Sequence, residues 1–354
     1  MGLVSAAQFL VVGFALALVA DAKHDVPPTT NPFADPKHDL NNPLRYIPSN
    51  VLTGISVSLY FIISCTMLWL LNKSRWSARY MLCVIIGGFC MAFGLAMRFA
   101  LAKKPDNSGI YIVEYMFVVL SPCAFIAGNY ILLGRLSRHL DMGHRLLVSP
   151  LKITRIFVIS DITTFLIQAS GGGLSTSHQL TTAETGAHIF LAGLALQMAS
   201  YAFFTCVYLV FLWRCWKSEE EQPDGQGRVW TRSCRVGNDG ALLKEGEYRW
   251  WRDWRALAGA LILSCIGILI RSVYRTIELS QGYAGPLATN EATFYGLDTL
   301  PLFVAVTIYL PFWPGRFIDE DRLRAEARNK QAETQVESGN ADLESDEAKA
   351  MEEK

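Results

Sequence analysis

Long apolar runs alternate along the chain with short polar connections, and the length of the runs sets the class of protein. Seven of them, Val51–Leu71, Tyr80–Leu101, Ile112–Gly134, Ile153–Ser170, His188–Trp213, Ala256–Thr276 and Thr293–Trp313, approach the roughly 20 residues that a bilayer core of about 30 Å demands. The pattern predicts an all-α polytopic membrane protein with seven transmembrane helices over 51–315. Pro122 falls inside the third run, where a kink is tolerated if neighbours satisfy the freed carbonyls. Gly171-Gly172-Gly173 is read as the end of the fourth. Ahead of these runs, Leu10–Ala20 is shorter and is followed by Ala20-Asp21-Ala22, a small-x-small site. Residues 1–22 therefore read as a signal peptide cleaved near Lys23, with an uncleaved extra helix as the alternative. Residues 23–50, rich in Pro, Asn and Asp, read as an extracellular tail, and 316–354 as a charged, largely disordered cytoplasmic tail.

Composition fits this picture: 51% of the 354 residues are hydrophobic and the formal net charge is zero. The zero conceals a segregation. The first connection carries Lys73, Arg75 and Arg79, and the third Arg135, Arg138, Arg145 and Lys152. The fifth carries nine basic residues between Arg214 and Arg255, whereas 171–187 and 277–292 carry none. Cytoplasmic loops hold the Lys/Arg excess, so the expected topology is N-terminus outside, C-terminus inside. Trp69, Trp76, Trp213, Trp216, Trp250, Trp251, Trp254 and Trp313 lie at or near the same expected cytoplasmic ends. There an indole ring is apolar while its N–H stays wet.

Against this apolar background the ionisable residues are conspicuous. Arg271, Arg275 and Glu278 are spaced i, i+4, i+7, within roughly 60° of one helix face, and Glu291 and Asp298 follow. Arg98 and Glu114 fall near the outer ends of the second and third runs, and Gln168 in the outer third of the fourth. Asp161 and Gln197 come out near mid-membrane, and Asp161 is the candidate for any proton-coupled role. A charge at a helix centre costs about 2.5–3.5 kcal/mol on insertion scales, so such groups pair or face a wet cavity. Helix rise puts Arg271 and Asp298 at the same depth on consecutive antiparallel helices, and they are expected to pair. A structural ion-pair network and a substrate chamber in the outer half of the bundle both account for the set.

Signatures of catalysis are missing. The chain has no GxSxG, no HExxH and no Gly-rich loop followed by Lys-Ser/Thr. No paired Cys/His spacing points to a metal, and no cofactor is implied.

Several residue patterns occur in order along the spans. They are Tyr46-Ile-Pro48-Ser49; Pro122, Tyr130 and Gly134-Arg135; Asp161, Gln168 and Gly171-Gly-Gly173; and Gly193-Leu194 with Gln197. The most specific is Arg271-Ser-Val-Tyr-Arg275-Thr-Ile-Glu278, followed by Gln281-Gly282, Gly285, Glu291, Tyr295 and Asp298. Across roughly Tyr46–Gly315 this resembles the fungal lipid-translocating exporter family. The second span departs from it: Met91 stands where the family usually has Glu and Leu95 where it has Tyr, although Gly94 and Arg98 remain.

The resemblance implies a floppase-like exporter of an amphipathic molecule such as a sphingoid base, acting among membrane lipids, with no nucleic-acid partner, and placed at the plasma membrane. Carboxylates such as Glu114, Glu278 and Asp298 would receive an amine headgroup, with Arg98, Arg271 and Arg275 balancing charge or holding phosphate. A seven-helix receptor or sensor for a lipid-like ligand is the alternative, suited by the outside N-terminus and the long basic inner connection. Against it, Gly134-Arg135-Leu136 stands where many receptors have a DRY-type triplet.

Overall fold

The computed structural model describes residues 44–74, 78–139, 150–175, 180–220, 254–282 and 285–318. The predicted signal peptide, nearly all of the N-terminal tail, most of the fifth connection and the tail beyond 318 lie outside the described residues. Those described are all-helical, without a strand. The helices are α1 (Asn50–Lys73), α2 (Leu82–Lys103, entered through a 3₁₀ turn at Arg79–Met81), α3 (Ser108–His139), α4 (Pro150–Ser175), α5 (Leu180–Glu220) and α6 (Trp254–Ser280). A last helical stretch, α7, joins Glu291–Thr293, a π-helical segment Phe294–Thr299, and Leu300–Thr307. Among the described residues six helices, α1 to α6, are long and apolar enough to cross a membrane.

Local chemistry explains the boundaries. Asn107 Oδ1 accepts the Ile110 N–H at 3.1 Å and Asn290 Oδ1 accepts the Ala292 N–H at 3.0 Å, satisfying donors that a helix start leaves open. Lys73, Lys103 and Lys217 stand in last turns, where a cation complements the carbonyl end.

The structure differs from the pattern reading in two places, the α4–α5 connection and the end of α7. The glycines 171–173 do not end the fourth helix, which continues to Ser175, and α5 starts at Leu180, well before His188. The glycines serve packing instead: a Cβ on Gly171 would stand 2.4 Å from the Phe190 backbone nitrogen, so only glycine lets α4 and α5 cross this closely. The seventh run stays helical only to Thr307; Tyr309 and Leu310 then donate to Val306 and Thr307, tightening the chain into turns. Pro311 follows, with no N–H to give Thr307 and a ring that disfavours helix at Leu310. The π segment has a similar cause, for Pro301 has no N–H to offer Leu297.

Consecutive helices pack as neighbours, and α3 also reaches α6. The ring closes between α1 and α7, where the Tyr60 hydroxyl donates to the Thr299 carbonyl at 2.8 Å. α2 and α3 bury the largest shares of their apolar windows, α1 and α5 the smallest. Outward faces carry Phe61, Ile62, Ile159, Leu166, Phe203 and Ile266, all exposed, as suits contact with lipid tails. With lipid as apolar as leucine, packing and interhelical hydrogen bonds hold the bundle together. A cluster of Tyr130, Phe157, Tyr201 and Phe204 packs ring against ring at the junction of α3, α4 and α5.

Candidate functional site

The end of the bundle that carries the start of α1, the end of α2, the start of α3 and the end of α6 gathers most of the buried charge. Three arginines are almost wholly buried there. Arg275 Nε donates to Asp298 Oδ1 at 2.6 Å and its Nη1 to Glu278 Oε2 at 3.0 Å. Arg271 Nε stands 3.1 Å from the same Asp298 oxygen, off the hydrogen-bond axis, while Nη2 donates to the Val118 carbonyl at 2.9 Å. The expected Arg271–Asp298 pair is present, but Asp298 serves two arginines and Arg275 holds it more closely. Asp298 itself sits in the π segment of α7 and has no exposed surface.

The third arginine, Arg98, has a different environment. Nη1 approaches Glu114 Oε1 at 3.5 Å and Nη2 donates to the Tyr46 hydroxyl. Its guanidinium also lies 4.1 Å from the Phe294 ring centroid and 5.4 Å from that of Tyr295, distances at which a cation is attracted by the ring face. Burial pushes the Tyr46 hydroxyl up to about 12 against the opposing pull of Arg98, so it meets the guanidinium as a neutral phenol. The segment carrying Tyr46 is anchored again where the Ser49 N–H donates to Glu291 Oε1 at 2.8 Å. Thr53 and Tyr295 exchange a hydroxyl hydrogen bond one turn further on, at 3.0 Å.

Between these groups lies a cleft of about 50 Å³, room for a few water-sized groups. Its charged walls are Arg98, Glu114, Arg275 and Glu278; its aromatic walls are Tyr46, Tyr111, Tyr115 and Phe294. Glu114 is the less firmly held carboxylate, since Glu278 takes both the short Arg275 contact and the Tyr274 hydroxyl at 3.4 Å. The volume suits a headgroup. An alkyl chain would have to lie elsewhere.

The sequence-predicted residues thus separate into four groups. Arg98, Glu114, Arg275 and Glu278 line the cleft; Arg271 and Asp298 stand behind it as its charge support; Glu291 ties the segment before α1 to α7. Asp161, Gln168 and Gln197 are not part of it. Gln168 Nε2 donates to Gln197 Oε1 at 2.8 Å and Gln197 Nε2 to Cys123 Sγ at 3.2 Å, forming a strip across α3, α4 and α5.

Sequence reading passed over the aromatic walls. Tyr111 and Tyr115 flank Glu114 at i, i+4 spacing, a signal that was available. It also passed over Asn129, which gave no such signal. Buried in α3, Asn129 donates to Tyr201 at 2.9 Å and to Ser264 at 3.1 Å, and accepts from Tyr309 at 2.8 Å. One amide thereby joins α3, α5, α6 and the turn after α7.

Comparison with known proteins places the chain. The family described as RTA1 like protein matches residues 84–321. The chain belongs to the RTA1-like family. That agrees with the resemblance to fungal lipid-translocating exporters. Protein RTA1 of Saccharomyces cerevisiae is 30% identical over 65% of this chain and 64% of its own length. Sphingoid long-chain base transporter RSB1 of Saccharomyces cerevisiae is 28% identical over 75% of this chain and 74% of its own. Protoporphyrin uptake protein 1 of the same species is 26% identical over 62% and 63%. The chain thus spans just under two thirds of Protein RTA1. No solved structure matches this RTA1-like chain. Membership and the six apolar helices make it an integral membrane protein, related to proteins named as transporters.

Proposed function

We propose that this RTA1-like protein exports an amphipathic molecule bearing a cationic headgroup, with a sphingoid base as the first substrate to test. The observation that carries this reading is the cleft itself. Two carboxylates, Glu114 and Glu278, share a small space with four aromatic rings, while the arginines beside them are engaged by Asp298, Tyr46 and the carboxylates. Carboxylate oxygens and ring faces are the groups that recognise an ammonium, and hydroxyls of Tyr46, Tyr111 and Tyr115 suit the hydroxyls of a long-chain base. The name of the RSB1 relative points to the same class of substrate.

In this reading α7 is the seventh span, roughly 25 Å of helix completed by the turns up to Trp313. The cleft end faces outside, because the opposite end carries the basic residues. There Lys73 packs over Trp69, Arg135 over Tyr80 and Lys217 over Trp213, as anchors at a headgroup interface. The headgroup is received in the outer half of the bundle, and the alkyl chain lies along an apolar helix face. The plasma membrane is the proposed location.

Translocation of a labelled long-chain base by full-length protein in proteoliposomes tests this. The expected result is movement well above protein-free vesicles, with Glu114→Gln reduced. Failure to move a long-chain base, a sterol amine and a porphyrin alike would overturn the proposal.

A further inference from the structure

Four of the five buried or half-buried carboxylates considered above have a partner: Glu114 has Arg98, Glu278 has Arg275, Asp298 has two arginines and Glu291 has the Ser49 N–H. Asp161 is different. It lies in the middle of α4, only 5% exposed, and neither carboxylate oxygen makes a hydrogen bond. Among the described residues no Lys or Arg forms an ion pair with it.

Its surroundings can be named element by element. From α3 come the Tyr130 hydroxyl, which faces the carboxyl as its one polar neighbour of hydrogen-bonding type although the geometry falls short of a full bond, and the Cys123 thiol within electrostatic reach. From α5 come Gln197, bonded to Cys123, and Ser200, which meets Ser160 at 3.3 Å; neither titrates. From α6, the field of Arg271 reaches Cys123, but its guanidinium is taken by Val118 and Asp298. A carboxylate anion that faces a neutral hydroxyl and no counter-charge in such a place costs several kcal/mol, whereas the neutral acid is tolerated and can donate to that hydroxyl. Intramembrane carboxyls of this kind mark proton relays.

We infer that Asp161 is a proton-carrying site, separate from the headgroup cleft, through which a proton gradient drives transport. The carboxyl takes up one proton in one conformation and releases it in another, and no other bond changes. Ligand binding can bias such an equilibrium only through a difference between the two states, and the charge on Asp161 supplies one. The route towards the cleft end is the Gln168–Gln197–Cys123 strip. Gln168 stands seven residues from Asp161 on the same face of α4, and its Oε1 is a buried acceptor with no donor. The coupling rests on the exporter reading; the proton site does not.

Two measurements separate them. Infrared difference spectra between acid and alkaline pH, on full-length protein in lipid, should show the carbonyl stretch of an isolated carboxylic acid that disappears as pH rises. The band should move with carboxyl-¹³C aspartate labelling and be lost in Asp161→Asn. A spectrum without this band, or one unchanged in Asp161→Asn, overturns the site. Labelling shows that the band belongs to an aspartate, and Asp161→Glu, which keeps a carboxyl in the core, should retain the band but make it insensitive to aspartate labelling. A band still shifted by the label in Asp161→Glu overturns the site even if Asp161→Asn folds poorly. Proteoliposomes holding a pH-sensitive dye then test coupling. Long-chain base should accumulate only with an imposed proton gradient, Asp161→Asn should retain exchange but fall to the gradient-free level, and Asp161→Glu should recover part. Equal accumulation by wild type with the gradient collapsed overturns coupling. Wild type that moves no long-chain base sinks the exporter reading and the coupling with it, while the infrared result still decides the proton site.

Discussion

Arg275 Nε meets Asp298 Oδ1 at 2.6 Å, and neither side chain has appreciable access to solvent. The same oxygen lies 3.1 Å from Arg271 Nε, so one carboxylate neutralises parts of two guanidinium groups. This three-membered arrangement has different mutational consequences from a simple pair. Among the described residues, removing Asp298 strips Arg271 of its only ion-pair partner and leaves Arg275 with Glu278 alone. Removing Arg271 leaves Asp298 with its shorter contact.

Asp298→Ala should therefore be the most damaging single change in the bundle, by about 3–5 kcal/mol, the range for breaking a buried pair. Arg271→Ala should be clearly milder. The double variant should stay close to Asp298→Ala, because Arg275 is still short of a counter-charge. Thermal unfolding in detergent together with surface expression gives the order. Recovery of the double variant to wild-type levels would mean that Arg271–Asp298 is an isolated pair after all.

Tyr46→Phe keeps the ring against Arg98 and removes the hydroxyl; a hydrogen bond to a charged group contributes about 1.5–3 kcal/mol. The variant should loosen the segment before α1 and raise its hydrogen exchange, with the core helices unaffected. Because burial raises the Tyr46 hydroxyl to about 12, its contribution is complete below the free tyrosine value near 10 and is lost between there and about 12. Protection of residues 44–49 should thus be flat across neutral pH. A fall between pH 6 and 9 would show that another group holds the segment.

How far the sequence disclosed this arrangement depends on the kind of signal. Run length located the six long apolar helices, closely for all but α5, which extends well beyond its run at both ends, because an apolar stretch of bilayer thickness has few other uses. It failed at Gly171–Gly173, where glycine allows close helix approach and does not stop the helix, and after Thr307, where Pro311 acts. Charge at membrane depth picked out Arg98, Glu114, Arg271, Arg275, Glu278 and Asp298. Depth alone could not separate them from Asp161, Gln168 and Gln197, since the helix rise gives height but not which helices face one another. Tyr111 and Tyr115 could have been found from their spacing around Glu114, but Asn129 is an uncharged residue inside an apolar run and raises no alarm.

Asn129 illustrates the cost of that silence. Asn129→Leu should leave the Tyr201, Ser264 and Tyr309 hydroxyls without their common partner, at about 1–3 kcal/mol for each buried group left unsatisfied. Unfolding temperature should fall, and the protein that survives should keep its apparent affinity for substrate, since Asn129 does not line the cleft. A changed affinity at unchanged stability would place Asn129 in the transport path.

Gly267 tests the seam that carries the charge network. A Cβ there would stand 2.5 Å from the Pro301 carbonyl oxygen, and that atom is backbone, which cannot swing aside. Gly267→Ala should push α6 from α7, one helical turn below Arg271, and so lengthen the contacts to Asp298. The expected loss is about 1–3 kcal/mol, the usual cost of overpacking. Gly259→Ala, with nothing near its Cβ, is the control and should be neutral or slightly stabilising. Equal stability of the two variants would show that α6 and α7 adjust freely.

The two cleft carboxylates should differ in what they read. Glu278 accepts from Arg275 at 3.0 Å and from Tyr274 at 3.4 Å, so much of its charge is already answered. Glu114 has Arg98 only at 3.5 Å, and Arg98 is turned towards Tyr46 and the Phe294 ring as well. A cationic headgroup entering the cleft therefore gains more from Glu114. Glu114→Gln preserves shape and removes charge, and a charge-assisted hydrogen bond exceeds a neutral one by about 1–2 kcal/mol. The variant should weaken transport of a free long-chain base roughly tenfold and that of its N-acylated, uncharged form much less. Glu278→Gln should affect both forms alike, because it acts by releasing Arg275. Competition between the two forms in one vesicle preparation measures the ratio directly and cancels differences in expression. If Glu114→Gln reduced both forms equally, the cleft would be reading something other than the amine, and the cationic-headgroup proposal would lose its basis.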